Sequence, residues 1–399
     1  MRIIHAADLH LGRSLHERSL LEDQAAMLES LLAAAVDRRA DLLLIAGDIY
    51  DRAIPQPEAI GLFDAFLTRV SAAAPDLVVV AIPGNHDSAA RLSFGAGFLR
   101  RSGFHLRTRA EEAVEPVIVE RGGDRVAVWA LPYLTPGSFF GRRAAAAEED
   151  GSEVDPPSGL RTQAELFESA MDLIGPRLRT DARNVLLAHC FAAGGVSSES
   201  ERAFVGGAEE VPTRLFDDFD YVALGHLHRR QGCGEKARYP GSPIAYSFSE
   251  AEASPEKGFL LVELGEGGFR EEPVLVKPLH RLSRIEGSFE ELSRPGAFPG
   301  QRGDFVEARL TDAFPVLDPV DPLRANFPNL LSVRQAAFEL SLSHNALSAT
   351  PAGEGRREGP GVVLEDFRAF HAEMLSRPPD PEAEGLFLGL LEEAAHASD

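Results

Sequence analysis

The chain has 399 residues, too many for one small core, and its 44% hydrophobic and 26% charged content is that of a folded soluble protein, which excludes disorder throughout. A formal charge of −22 opposes long-range attraction to a phosphate backbone, so a nucleic-acid substrate requires a local basic surface or a basic partner. Cys190 and Cys233 are too few for a disulfide framework and lack the paired spacing of a zinc or redox motif, so both are expected as reduced thiols.

At the N-terminus, Arg2 and His5 flank a short apolar pair, unlike the long apolar core of a secretory signal. No later run reaches membrane-spanning length, so the expectation is a cytoplasmic protein without membrane contact.

Residues 3–7 form a short apolar opening, and residues 20–36 place Leu21, Leu28, Leu32 and Val36 at helical spacing, which predicts a strand and then a helix. The pattern repeats: 42–46 reads as a strand ending in Gly47-Asp48, 59–70 as a helix, and 77–82 as a strand ending in Pro83-Gly84-Asn85. Such alternation implies a largely parallel sheet covered by helices, an α/β fold. Further buried strands are predicted at 126–131, 185–188 and 221–224, enough for a second sheet. Residues 141–160 read as an exposed insertion before a helix at about 161–174. The Gly-, Ser- and Glu-rich loop 194–210 joins two histidine-bearing strands, where mobility would affect substrate access.

Runs at 258–264 and 274–276 predict a closing hairpin. After His280, alternating stretches at 281–286 and 305–310 suit a small α+β domain, giving expected divisions of 1–280, 281–349, a Gly-, Pro- and Arg-rich linker at 350–361, and a helical segment at 362–399. Within that last segment, one amphipathic stretch carries Leu364, Phe367, Phe370 and Leu375, and the other Leu386, Phe387, Leu390 and Leu391. Spacing alone leaves open whether they form a hairpin packed within the chain or a module for a partner helix.

Five polar clusters carry the chemistry: Asp8-Leu9-His10, Gly47-Asp48-Ile49-Tyr50-Asp51, Gly84-Asn85-His86-Asp87, Ala188-His189 and Gly225-His226-Leu227-His228. Each follows a predicted strand, so a sheet would deliver all of them to one edge, where open α/β sheets build sites. Carboxylates, imidazoles and an amide oxygen without thiolates suit divalent ions such as Mn²⁺, with Mg²⁺ as the alternative. Side chains two apart in a strand share a face, so Asp8 and His10 can grip one ion, and His226 and His228 can point together at a two-ion centre. Asp48 is the natural bridge, because a carboxylate has two oxygens and offsets repulsion between neighbouring cations. Four positive charges against the two of Asp8 and Asp48 leave a surplus that favours phosphate. His86, beside Asn85, is placed to protonate a leaving alkoxide. Asp87 is expected to anchor its loop or orient His86, and Asp51 to support the ligands from behind. The remaining histidines, His5, His16, His105, His280, His344, His371 and His396, are expected to be structural or solvated.

These clusters, with Tyr221-Val222-Ala223-Leu224 before the last and Tyr239-Pro240-Gly241-Ser242-Pro243 after it, resemble the calcineurin-like metallophosphoesterase superfamily. Within it, the likeness is to bacterial nuclease subunits that act with an SbcC-type ATPase, over about the first 280 residues. The resemblance implies a two-sheet sandwich flanked by helices, a small capping domain that helps bind DNA, and C-terminal helices that dock on the coiled-coil base of the ATPase. It assigns Asp8, His10, Asp48 and His228 to one manganese, Asp48, Asn85, His189 and His226 to the other, and catalysis to His86. It further implies a Mn²⁺-dependent 3′→5′ exonuclease and endonuclease in DNA repair and recombination, a homodimer within a heterotetramer. An ATPase partner would supply the DNA affinity that the acidic chain lacks. The alternatives are a phosphoesterase for small phosphodiesters or phosphoproteins, and a scaffold that chiefly tethers DNA ends. Two departures matter: Asp51 stands where archaeal and eukaryotic relatives usually have histidine, and Tyr50 falls two positions after Asp48, which disfavours a ferric-tyrosinate centre.

Overall fold

An all-apolar strand needs cover on both faces, and Leu42–Ala46 has it: Leu42, Leu44 and Ala46 enter one core, while Leu43 and Ile45 enter another. The same parity recurs in Arg183–His189, where Val185 and Leu187 face inward and Leu186 and Ala188 face the opposite side. The computed structural model describes residues 1–136, 138, 162–197, 210–336, 364, 366–368, 371, 379–381 and 383–388.

Two six-stranded sheets share the inner core. The first runs Gly268–Leu275, Gly258–Gly265, Arg2–Ala6, Leu42–Ala46, Val78–Ile82, Phe104–Leu106, and its last four strands are parallel. The second runs Gln231–Cys233, Ala237–Tyr239, Tyr221–Gly225, Arg183–His189, Asp124–Leu131, Val117–Arg121, with parallel pairing through its centre. Helices Leu21–Asp37 and Pro57–Ala73 cover the first sheet, and Gln163–Ile174 covers the second. This is the two-sheet α/β sandwich flanked by helices that the sequence implies.

The differences from sequence expectation have local causes. The second helix starts at Pro57 rather than 59 because proline suits a first helical position, and it runs on to Ala73 through two alanines. The closing hairpin returns at Gly268, well before 274, because Gly268–Leu275 is an edge strand whose Arg270, Glu271 and Glu272 face solvent and hide the apolar period. The insertion 141–160, most of the loop 194–210, the linker 350–361, and Phe370, Leu375, Leu390 and Leu391 lie outside the described residues.

After His280 come three parallel strands, Leu282–Gly287, Phe305–Leu310 and Leu330–Gln335, around a small core of Ile285, Leu292, Val306, Leu310, Leu323 and Phe327. The third of these strands has little apolar alternation and escapes sequence reading. Residues 1–335 form one compact unit and 336–399 a second. In that second unit Phe367 stacks on Phe387 at 4.1 Å and the Arg368 guanidinium grips both oxygens of Glu384 at 2.6 and 2.7 Å, so its two helical stretches pair with each other.

His5 bridges the sheets. Its Nε2–H donates to the Leu224 carbonyl at 3.1 Å, which leaves Nδ1 to accept from the Tyr221 hydroxyl at 2.9 Å. Burial lowers its pKa from 6.5 to about 3. As pH falls between those values the unfolded chain gains a proton that the folded chain refuses, so stability drops by up to about 1.4 kcal/mol per pH unit. His5→Gln is expected to be less stable at pH 7 but to show a flatter acid limb in urea unfolding between pH 4 and 7. Parallel acid limbs for the two proteins would contradict this.

Candidate metal centre

Four of the seven expected ligand residues sit in backbone conformations that side chains other than glycine avoid: Asp8, His10, Asp48 and His226 have φ of 54°, 43°, 48° and 108°. Such conformations persist only where the surroundings over-determine them. Here the Asp8 N–H donates to the Gly47 carbonyl at 3.1 Å, His10 N–H to Asp48 at 2.9 Å and Leu11 N–H to Ile49 at 2.9 Å, zipping the first cluster to the second. The Gln24 amide donates to the His10 carbonyl at 2.7 Å and accepts from Gly12 N–H at 2.9 Å. Asp87 joins the second cluster to the third, its carboxylate accepting from the N–H groups of Ile49, Tyr50 and Gly84 at 2.9, 2.9 and 3.0 Å. Burial and the neighbouring Asp48 charge push its carboxyl up to about 7 against those three bonds. Asp8 in turn accepts from His226 N–H at 3.0 Å, and Asp48 from His86 N–H at 2.9 Å.

The side chains converge. Asp48 Oδ2 lies 3.6 Å from His10 Nε2 and 3.6 Å from His189 Nε2, and His10 Nε2 is 3.0 Å from His228 Nε2. Asn85 Oδ1 lies 2.9 Å from His189 Nε2 and 3.0 Å from His226 Nδ1. Three groups each bring their ligand atoms within 4.8 Å: Asp8 with His10 and His228, Asp8 with Asp48 and His189, and His10 with Asp48 and His86. Asp8, His10, Asp48, His189 and His228 are buried, whereas Asn85, His86 and His226 are half-buried and form the open side. Every ligand expected from the sequence is therefore in this one place, and His86 is beside them.

The donor set fits divalent cations. His189 Nδ1–H donates to the Ala46 carbonyl at 2.8 Å, so the neutral ring turns a lone pair on Nε2 toward the oxygens of Asn85 and Asp48. Burial lowers the pKa of His189, and burial, with the crowding of other imidazoles and for His10 also Arg13, lowers those of His10 and His226 well below the usual value, so protonation does not relieve the crowding. His10 Nδ1, buried without a hydrogen-bond partner, faces the Asp51 carboxylate at 3.6 Å, so Nε2 is the atom turned to the cluster. Converging lone pairs and carboxylates, with no thiolate among them, are what a hard-to-borderline cation satisfies.

Asp51 stands behind this group. Its carboxylate lies 3.6 Å from His10 Nδ1 and accepts from Arg13 at 3.2 Å, while its carbonyl accepts His86 Nδ1–H at 2.8 Å.

Sequence reasoning missed Glu250, Lys257 and Tyr246. The Tyr246 hydroxyl donates to the Leu9 carbonyl, and Glu250 Oε2 lies 3.5 Å from His228 Nδ1. Burial alone would raise the Glu250 carboxyl, but His228 and Lys257 hold it well below the usual range. Glu250 lies in the first turn of helix Phe248–Ala253, and no residue pattern in the local sequence points to the centre.

Three glycines permit the backbones to meet. A Cβ on Gly225 would fall on the Ala46 carbonyl that anchors His189, one on Gly84 would fall on the Asp48 carboxylate, and one on Gly47 on the His189 ring. Gly61 has open space around it in helix Pro57–Ala73. Gly225→Ala is expected to destabilise by roughly 1–3 kcal/mol through overpacking, whereas Gly61→Ala is expected to stabilise by up to about 1 kcal/mol. Urea midpoints that move in the same direction would refute the close-approach account.

A model of the calcineurin-like phosphoesterase family matches residues 1–230, and the chain belongs to that family, whose members act through a dimetal site. Across 99% of its length it is 28% identical to the D component of the nuclease SbcCD from Staphylococcus saprophyticus subsp. saprophyticus, covering 100% of that protein. Solved structures give weaker likeness. A Thermus thermophilus protein matches at 14% identity and TM-score 0.39, over 68% of this chain and 98% of that one. A dimetal phosphatase from Danio rerio matches at 13% identity and TM-score 0.37, over 69% and 99%. Among the described residues, no helix is long and apolar enough to cross a membrane.

Proposed function

We propose that this chain is a two-metal DNA phosphodiesterase, a 3′→5′ exonuclease and endonuclease that works with an SbcC-type ATPase in processing DNA ends and hairpins during repair and recombination. The observation that carries this reading is the convergence of lone pairs from five strand-end clusters, in a chain matched along nearly its whole length by a nuclease component. Asp8, His10, Asp48 and His228 would hold one ion, and Asp48, Asn85, His189 and His226 the other, with manganese the favoured metal. Bound divalent ions of this kind supply an activated water and stabilise charge on the phosphate oxygens.

The chain's own groups do the rest. His86 gives its Nδ1–H to the Asp51 carbonyl, which leaves Nε2 to carry a proton to the leaving 3′ or 5′ oxygen. The rigid loop contacts through Asp87 hold Asn85 and His86 in register with Asp48. Residues 1–280 form the nuclease core, 281–349 the capping and DNA-binding part, 350–361 the linker, and 362–399 the segment that docks on the ATPase coiled coil. The same reading includes a homodimer within the assembly, to which Phe94 and Phe98, 90% and 79% exposed, offer apolar surface. An ATPase partner supplies the DNA affinity that a charge of −22 withholds.

His86→Ala should retain manganese and DNA binding but cut hydrolysis of duplex DNA by about 10²–10⁴-fold, measured with and without the ATPase. Retained cleavage rules out the proton-donor role. Removal of 362–399 should abolish co-purification with the ATPase while leaving manganese-dependent hydrolysis of short single-stranded substrates intact. Undiminished co-purification rejects the docking assignment.

A further inference from the structure

Glu250 and Lys257 form a buried ion pair, 1% and 8% exposed, that no step above uses. Taking two charges out of water is unfavourable, and an apolar pair of similar size commonly does as well for stability, so their position calls for another explanation. Both partners hold residue 228. Glu250 Oε2 lies 3.5 Å from His228 Nδ1 and accepts from Tyr246 N–H at 3.1 Å, while Oε1 takes the Ser242 hydroxyl and the lysine. Lys257 Nζ donates to the His228 carbonyl at 2.8 Å and to Ser242 Oγ at 3.1 Å, and Ser242 N–H reaches the same carbonyl at 3.1 Å. The imidazole is thus held at its outer nitrogen and its main chain at the carbonyl, by two side chains that also hold each other.

We infer that Glu250, neutralised by Lys257, is a positioning residue for His228: it keeps the proton on Nδ1 and aims the Nε2 lone pair into the cluster with Asp8 and His10. This rests on the reading of that cluster as one of two metal sites. An ionised carboxylate only accepts hydrogen bonds, so the imidazole nitrogen facing it must carry the hydrogen. The opposite nitrogen, 3.0 Å from His10 Nε2, then faces inward unprotonated, the form in which a histidine binds metal. Helix Phe248–Ala253, started by the Ser247 hydroxyl accepting Glu250 N–H at 3.1 Å, fixes the carboxylate's own place.

The test is a manganese titration of the full chain by isothermal calorimetry. Wild type is expected to bind two ions. The double variant Glu250→Gln with Lys257→Met leaves no lone buried charge, and should keep the wild-type circular dichroism while one of the two ions binds about 10–100-fold more weakly. Glu252→Gln, on the exposed side of the same helix, should bind both ions as wild type does. Two ions bound by the double variant at unchanged affinity overturn the inference, while a wild-type chain that binds none overturns the metal reading beneath it. A second measurement needs no folded variant of the pair: in metal-free wild type labelled with ¹⁵N-histidine, the His228 resonances, identified by their loss in His228→Asn, should report a proton on Nδ1. A proton on Nε2 refutes the proposal.

Discussion

One of the hydrogen bonds between the two sheets, His189 Nδ1–H to the Ala46 carbonyl at 2.8 Å, sets the geometry on which the centre depends. Ala46 ends a strand of the first sheet and His189 ends a strand of the second, so the bond ties the two sheet edges together where they deliver their polar clusters. It also selects the tautomer, leaving Nε2 unprotonated beside Asp48 and Asn85. The closeness it requires is why glycine stands at 225, where a side chain would displace the Ala46 carbonyl. Distortion of this contact would therefore disturb the register of the sheets and the chemistry of the imidazole together.

Most of the fold was legible because its central strands are buried on both faces, which prints an uninterrupted apolar run followed by a glycine or a polar residue. The runs at 42–46 and 221–224 fall within observed strands for that reason. Legibility fails where burial is one-sided or absent. Gly268–Leu275 exposes Arg270, Glu271 and Glu272, and Leu330–Gln335 is only partly buried beyond its first residue, so neither has a clear period. Among the candidate site residues, Asp8 and His10 or His226 and His228 stand out by residue type and by their place after apolar strands, not by strand parity, since both pairs lie beyond the strand ends and Asp8, His10 and His226 have positive φ. Glu250 and Lys257 do not, since they reach His228 from 22 and 29 positions away and nothing local separates a buried acid from a solvated one. Gly47, Gly84 and Gly225 were readable as the ends of strands but not as points of close contact.

The strained backbone and the hydrogen-bond network belong to the same design. Residues at positive φ cost of order 1–3 kcal/mol each, and Asp8, His10, Asp48 and His226 all carry that cost. The compensating bonds are mainly between clusters rather than within them: Asp8 to Gly47, His10 to Asp48, Asp87 to Ile49, and His226 to Asp8. The three clusters that carry positive φ are each held by hydrogen bonds from another cluster, so their loops support one another.

Burial divides the centre into a fixed wall and a working face. Asp8, His10, Asp48, His189 and His228 are sealed from solvent, with Glu250, Tyr246 and Gln24 packed behind them. Asn85, His86 and His226 are half-buried and face outward. A group too large to enter the sealed wall can meet the centre only from that side. Of the three outward residues, Asn85 and His226 are engaged with each other at 3.0 Å, whereas His86 is tied through Nδ1 to a backbone carbonyl. Its N–H also donates to the Asp48 carboxylate at 2.9 Å, so the main chain is fixed to the inner wall while the ring lies at the rim. That placement, with the main chain pinned to the Asp48 carboxylate and the ring at the open side, is what the proposed proton-transfer role of His86 rests on.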